Sequence, residues 1–195
     1  MLRIRTTLLL LSFLAVFTPV CLAQGTGKAK GTRLRSEPGE LSREEMEKMV
    51  QDKGFRDGVW NPRGNFPNKY KVRVLEGAKV IQDRATGLMW QQSGSSHRMD
   101  WPAAKDYVEQ LNKERYAGYS DWRLPTIEEL ASLLEPKRKK DLYIDPSFDV
   151  KQTWCWSADQ VRASRAAWFA NFFYGNVRGY SVTDALYVRA VRSAP

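Results

Sequence analysis

The sequence predicts an α+β domain, and three observations predict it. Two short apolar runs sit around a polar turn at 80–90, two capped helical segments follow at 100–134, and alternating aromatic strands fill 154–192. Runs of helices and strands that are segregated, rather than interleaved one by one, argue for α+β over a parallel α/β sheet. The expected core is two helices packed on short antiparallel strands. A short helix and an irregular connector precede it.

The elements follow in order. Met1–Arg5 carries Arg3 and Arg5, Leu8–Phe17 is apolar apart from Ser12, and Cys21-Leu22-Ala23 closes the run with small residues at alternate positions. That order is the pattern of a secretory signal peptide over 1–23, with cleavage after Ala23. The apolar run falls short of the roughly 20 residues that span a bilayer, so no membrane span is expected in the mature chain. The expected location is periplasmic or secreted. Cleavage leaves Cys155 without a second cysteine, so the fold must hold by burial and not by an internal disulfide. Seven Trp, eight Tyr and eight Phe residues supply the rings for that.

Residues 24–40 are rich in Gly, Lys and Arg without apolar period, and read as a flexible basic arm. Residues 41–78 read as a capped helix and a connector. Ser42 and Glu45 form a capping box, Leu41 and Met46 a staple, and Gly54 the stop. Met46, Met49 and Val50 give this helix a thin apolar edge for docking. Turn formers such as Asn61-Pro62 and Gly64-Asn65 make Gly54–Glu76 an irregular wrap.

The compact domain is expected over 79–195. Val80-Ile81 and Leu88-Met89-Trp90 flank the turn Asp83–Gly87. Asp100 caps a helix with Ala104, Tyr107, Val108 and Leu111 on one stripe. Thr126 and Glu129 form a second capping box ahead of Leu130, Leu133 and Leu134. Trp154 and Trp156, then Trp168, Ala170 and Phe172, alternate as strand residues do. Tyr174-Gly175-Asn176 is a turn, and Leu186–Arg192 is a closing strand.

The segments IQDRATGLMWQQ (81–92), YAGYSDWRLPTIEELASLL (116–134), WCWSAD (154–159), AAWFANFFYGNVRG (166–179) and LYVRAVRS (186–193) carry a resemblance. In order and spacing they resemble the Lcl C-terminal domain family, named for the Legionella collagen-like adhesin. The resemblance implies a C-type-lectin-like fold, related to the formylglycine-generating enzymes, in secreted or surface bacterial proteins. For the namesake it implies binding of sulfated glycosaminoglycans. This chain has no Gly-X-Y repeat, so the namesake's collagen stalk is missing.

The chemistry-bearing residues point to binding rather than catalysis. His97 is the single histidine and sits in a Ser-rich loop, and Cys155 lies between two tryptophans on a strand. A lone thiol there packs rather than reacts, and no cofactor is expected. The formylglycine-generating relatives use a cysteine pair that this mature chain lacks. Asp141, Asp145 and Asp149 line a loop-like stretch, yet the sugar-binding calcium signatures of C-type lectins are missing, so no metal is expected.

The formal charge of +9 falls to +7 once the two leader arginines are removed. Lys137-Arg138-Lys139-Lys140 is the densest cluster, and Arg162, Arg165 and Arg178 lie near strand ends. Arginine grips sulfate or carboxylate with two parallel hydrogen bonds, whereas lysine acts as a point charge. These seven residues are the candidate ligand contacts, and an acidic or sulfated glycan is the candidate ligand. Export argues against nucleic acid as partner. The rival readings are a module that binds another envelope protein through its capped helix and arm, and an enzyme acting at Cys155 or His97.

Overall fold

A computed structural model describes residues 32–195. The leader, its cleavage site and the first part of the basic arm lie outside the described residues. The elements are β1 (Glu40–Leu41), α1 (Arg43–Asp52), β2 (Tyr70–Leu75), β3 (Ala78–Asp83), β4 (Leu88–Gln91), α2 (Trp101–Lys113), α3 (Ile127–Ser132), β5 (Trp154–Val161), β6 (Ala166–Asn171), β7 (Asn176–Ser181) and β8 (Val191–Ser193). The fold is mixed α+β, with more strands than helices.

The three α-helices among the described residues all start where the sequence places a cap. Ser42 and Thr126 each accept from the backbone of Glu45 and Glu129, whose carboxylates bond back to the cap N–H. Asp100 accepts from Ala103 N, and Pro102 sits in the first turn of α2, where no intrahelical N–H is lost. Gly54, at φ 67°, follows the end of α1.

Eight strands form two four-stranded sheets, ordered β1-β5-β6-β7 and β2-β3-β4-β8. Every ladder is antiparallel except the two-residue β1–β5 pairing. The last segment ties the sheets together: Tyr187 bridges Cys155 of β5, while Val191 pairs with Trp90 of β4. The expected closing strand over 186–192 is therefore shorter, and its first half serves as a seam.

Two apolar clusters lie on opposite faces of the strands. One joins Met46 and Val50 of α1 and Leu130 of α3 to Ile81, Trp90, Cys155, Trp168 and Phe172. The other joins Ala104, Val108 and Leu111 of α2 to Val80, Met89, Trp156, Ala167 and Phe169. Neighbouring residues of β3, β4, β5 and β6 thus alternate between cores, as a period of two requires. Both faces are covered, which is why the central part of β5 is buried without a polar side.

Two expectations need correction. The irregular connector over 54–76 contains β2, which pairs with β3 through a two-residue turn at Glu76-Gly77. Both turn residues have positive φ (45° and 78°), the geometry that matches the strand twist in tight hairpins. The residues Lys71 to Val74 are exposed on both faces, so burial leaves no mark on them. The domain boundary at Lys79 cuts this hairpin.

The arm is not loose as far as residue 40. Leu34 is buried, and Arg35 reaches the fully buried carboxylate of Asp159 with both guanidinium nitrogens at 2.8 Å. Asp159 also accepts from Gly39 N and Ile127 N, each at 2.6 Å. Four donors on one carboxylate explain why this charge is tolerated inside.

Candidate ligand-binding surface

The hairpin between β6 and β7 organises the surface that carries the basic residues. Asn171 Oδ1 accepts from Phe173 N and Tyr174 N at 3.1 and 3.0 Å, which turns the chain and leaves Phe173 and Tyr174 exposed. Their rings meet edge to face with centroids 5.0 Å apart. The 137–140 loop, following α3, lies against this hairpin. Arg138 Nη2 donates to Phe173 O at 3.0 Å, and its guanidinium stands 5.0 Å from the Phe173 ring and 5.5 Å from that of Tyr143. Arg56 covers Tyr143 at 3.8 Å.

The seven expected contacts fall into unequal groups. Lys139 lies 3.1 Å from Glu135 and 3.3 Å from Asp145, so its charge is met within the fold. Lys137 and Lys140 are exposed and have no ion pair among the described residues. Arg162 donates to Glu40 O at 3.1 Å and pairs with Glu45 of α1 at 2.9 Å, which fastens α1 to the end of β5. Arg165 is exposed on the β5–β6 turn. Arg178, on β7, lies 3.6 Å from buried Asp57 and 5.3 Å over the Trp60 ring. The structure thus brings Arg138 to the turn and Arg178 to the second strand of one hairpin, and uses Lys139 and Arg162 as internal ties.

The connector joins the same hairpin. Gly58 N donates to Gly175 O at 2.9 Å, and Asp57 accepts from Val59 N, Trp60 N and Val177 N at 2.8, 3.1 and 2.8 Å. These bonds hold Trp60 beside Trp168, with ring centroids 6.4 Å apart. A groove of about 470 Å³ opens there, lined by Arg43, Val59, Trp60, Val161, Trp168, Arg178 and Gly179. Clefts that hold small ligands run from about 300 to 1,000 Å³. Sequence reasoning named Arg178 and missed the others as a site. The signal was present in two places: a tryptophan within a turn-rich stretch, and Arg43 at the first position of a helix, where the dipole disfavours a cation.

The polar groups around the Trp122–Thr126 segment are structural in their contacts. Trp122 donates its indole N–H to Tyr116 O at 2.8 Å. Arg123 grips Glu129 with two bonds of 2.7 and 2.6 Å, and Asp121 takes Arg192 instead. Burial pushes the Cys155 thiol up to about 11, so it stays protonated at neutral pH. His97 is exposed, its ring 3.2 Å from the Ser96 hydroxyl, and makes no hydrogen bond to Cys155. Asp145 is occupied by Ser147 and Lys139, and Asp149 by Lys151 N. Among the described residues no group of three or more acidic, His or Cys side chains is placed to hold a metal ion.

The Lcl C-terminal domain family matches residues 79–192. This chain belongs to that family. The match covers more than half of the sequence and takes in both aromatic strands and the hairpin just described, while Arg43, Val59 and Trp60 lie ahead of it. No curated protein matches the chain.

Proposed function

We propose that the protein is an exported, non-catalytic binding module that recognises sulfated or acidic polysaccharide outside the cytoplasm. Its domain is read as C-type-lectin-like on the strength of family membership. The observation that carries the reading is the junction of the 137–140 loop with the β6–β7 hairpin. There, Arg138 stands against the exposed Phe173 ring, next to Tyr174, and exposed Lys137 and Lys140 flank it in the same loop. A polyanionic chain needs such a pairing, with cations for its charges and ring faces for its C–H surfaces. Lys137 and Lys140 supply long-range attraction, and Arg138 is positioned by its ring contact to offer a fork.

The basis for the non-catalytic part is the state of the two candidate nucleophile and base residues: a buried protonated thiol and a solvated imidazole with no mutual contact. The envelope-partner reading loses support from α1, because Met46 and Val50, on its apolar edge, are fully buried in this chain's own core.

Salt-gradient elution from a heparin column tests the proposal. The chain from Gln24 to Pro195 should elute well after a neutral control, and the Lys137→Ala/Lys140→Ala double variant should elute at clearly lower salt. Elution of the unaltered chain with the neutral control at low ionic strength would overturn the polysaccharide reading.

A further inference from the structure

The groove beside Trp60 and Trp168 is separate in composition from the exposed loop. Its lining is mostly apolar, from Val59, Trp60, Val161, Trp168 and the backbone of Gly179, with one guanidinium at each of two positions and no carboxylate. Asp57 does approach Arg178, at 3.6 Å, but is itself fully buried and already accepts three backbone N–H groups. Arg178 is also laid over the Trp60 ring, which fixes its plane. Trp168 donates its indole N–H to Leu41 O at 3.1 Å, so it presents carbon surface to the groove. Trp60 is half-buried and Trp168 only 4% exposed, so Trp60 supplies most of the indole surface that a ligand in the groove could reach.

Arg43 is exposed at the first position of α1, in the same turn as Glu44 and Glu45, and makes no ion pair among the described residues. With Asp57 offsetting part of the Arg178 charge, Arg43 gives the groove its net positive sign.

We infer that this groove is a subsite for a single pyranose ring bearing one anionic group, carboxylate or sulfate, within the polysaccharide proposed above. The inference rests on that reading for its ligand class. The indole of Trp60 packs the C–H side of a sugar ring, and a guanidinium donates paired N–H groups to a planar or tetrahedral oxyanion. The size suits a small ligand and not a protein surface. Arg43, Val59 and Trp60 come from outside the family match, so the extension contributes three of the seven lining residues and sets which sugar this chain accepts.

Tryptophan fluorescence, titrated with an unsulfated glucuronate disaccharide, with glucosamine N-sulfate and with a neutral glucose disaccharide, tests it on the chain from Gln24 to Pro195. One or both anionic sugars should give a saturable change, and the neutral sugar should bind at least tenfold more weakly. Which anionic sugar saturates first distinguishes carboxylate from sulfate. Arg43→Gln and Trp60→Ala, checked for unchanged thermal midpoints, should each weaken that binding tenfold or more. Equal binding of the neutral sugar, insensitivity to Arg43→Gln, or no saturation in a protein that still binds heparin would overturn the subsite. Saturation in a protein that heparin does not retain would keep the subsite and overturn the polysaccharide reading.

Discussion

The core under α2 and the core under α1 and α3 differ in where their residues come from. Buried members of the first, from Val80 to Ala190, all fall within the family match. The second takes Leu34, Met46, Val50 and Phe55 from the extension, and Arg35 from the same segment neutralises Asp159. The boundary drawn from sequence similarity therefore leaves part of one core on its far side. The extension closes one face of the β1-β5-β6-β7 sheet and, on that same side, supplies Arg43, Val59 and Trp60 to the groove.

Removing residues 24–78 is the strongest way to break this comparison. The fragment 79–195 loses β2, α1 and four buried apolar side chains, and leaves Asp159 without its cation. It should show no cooperative urea transition and should bind a hydrophobic dye. A cooperative transition in that fragment would reduce the extension to decoration.

Point changes sharpen the same contrast. Arg35→Ala strands a fully buried carboxylate, which costs about 3 kcal/mol in comparable cases, and Met46→Ala empties a fully buried site at a similar cost. Urea midpoints of both should drop as far as that of Leu111→Ala in the α2 core. A cost below about 1 kcal/mol for Met46→Ala would show that α1 only rests on the surface.

Cys155 supplies a smaller, pH-dependent effect within the extension-completed core. Its thiol keeps a proton up to about pH 11 in the folded chain, against 9.0 as an ordinary thiol, through burial. The unfolded chain therefore releases that proton first. Its contribution to stability is full below about pH 9 and is lost as pH rises toward 11, on the order of 2 kcal/mol in all. The difference in alkaline slope between parent and Cys155→Ala, measured by urea titration at pH 8, 9.5 and 11, should show it. Identical slopes would place the thiol in contact with water.

The smallest effect concerns the α1 cap. Ser42→Ala removes the oxygen that receives Glu45 N and should cost about 1 kcal/mol. Hydrogen exchange should localise the loss to α1 and leave α2 protection unchanged.

How much could be read in advance varied with the kind of signal. Caps at Ser42, Asp100 and Thr126 are local and depend on side chains within three residues, so they were legible. The alternation in β5 and β6 was legible as strand but not as a double burial, because period two is the same whether the second face meets water or another core. β2 went unread because Val72 and Val74 are held by a ladder and not by burial. The basic cluster was legible as charge. That Lys139 and Arg162 are consumed by Glu135, Asp145 and Glu45 was not.

By itself the sequence determined the class of the fold, its family and the helix starts. Each follows from neighbours along the chain or from composition. Only the tertiary structure decided that Arg35 belongs to Asp159, 124 positions away, and that Trp60 stands beside Trp168 next to Arg178. Pairings at that separation are fixed by which faces the sheets leave uncovered. A linear pattern carries the propensity of a residue to seek burial or a counter-charge, and never the address at which it finds one.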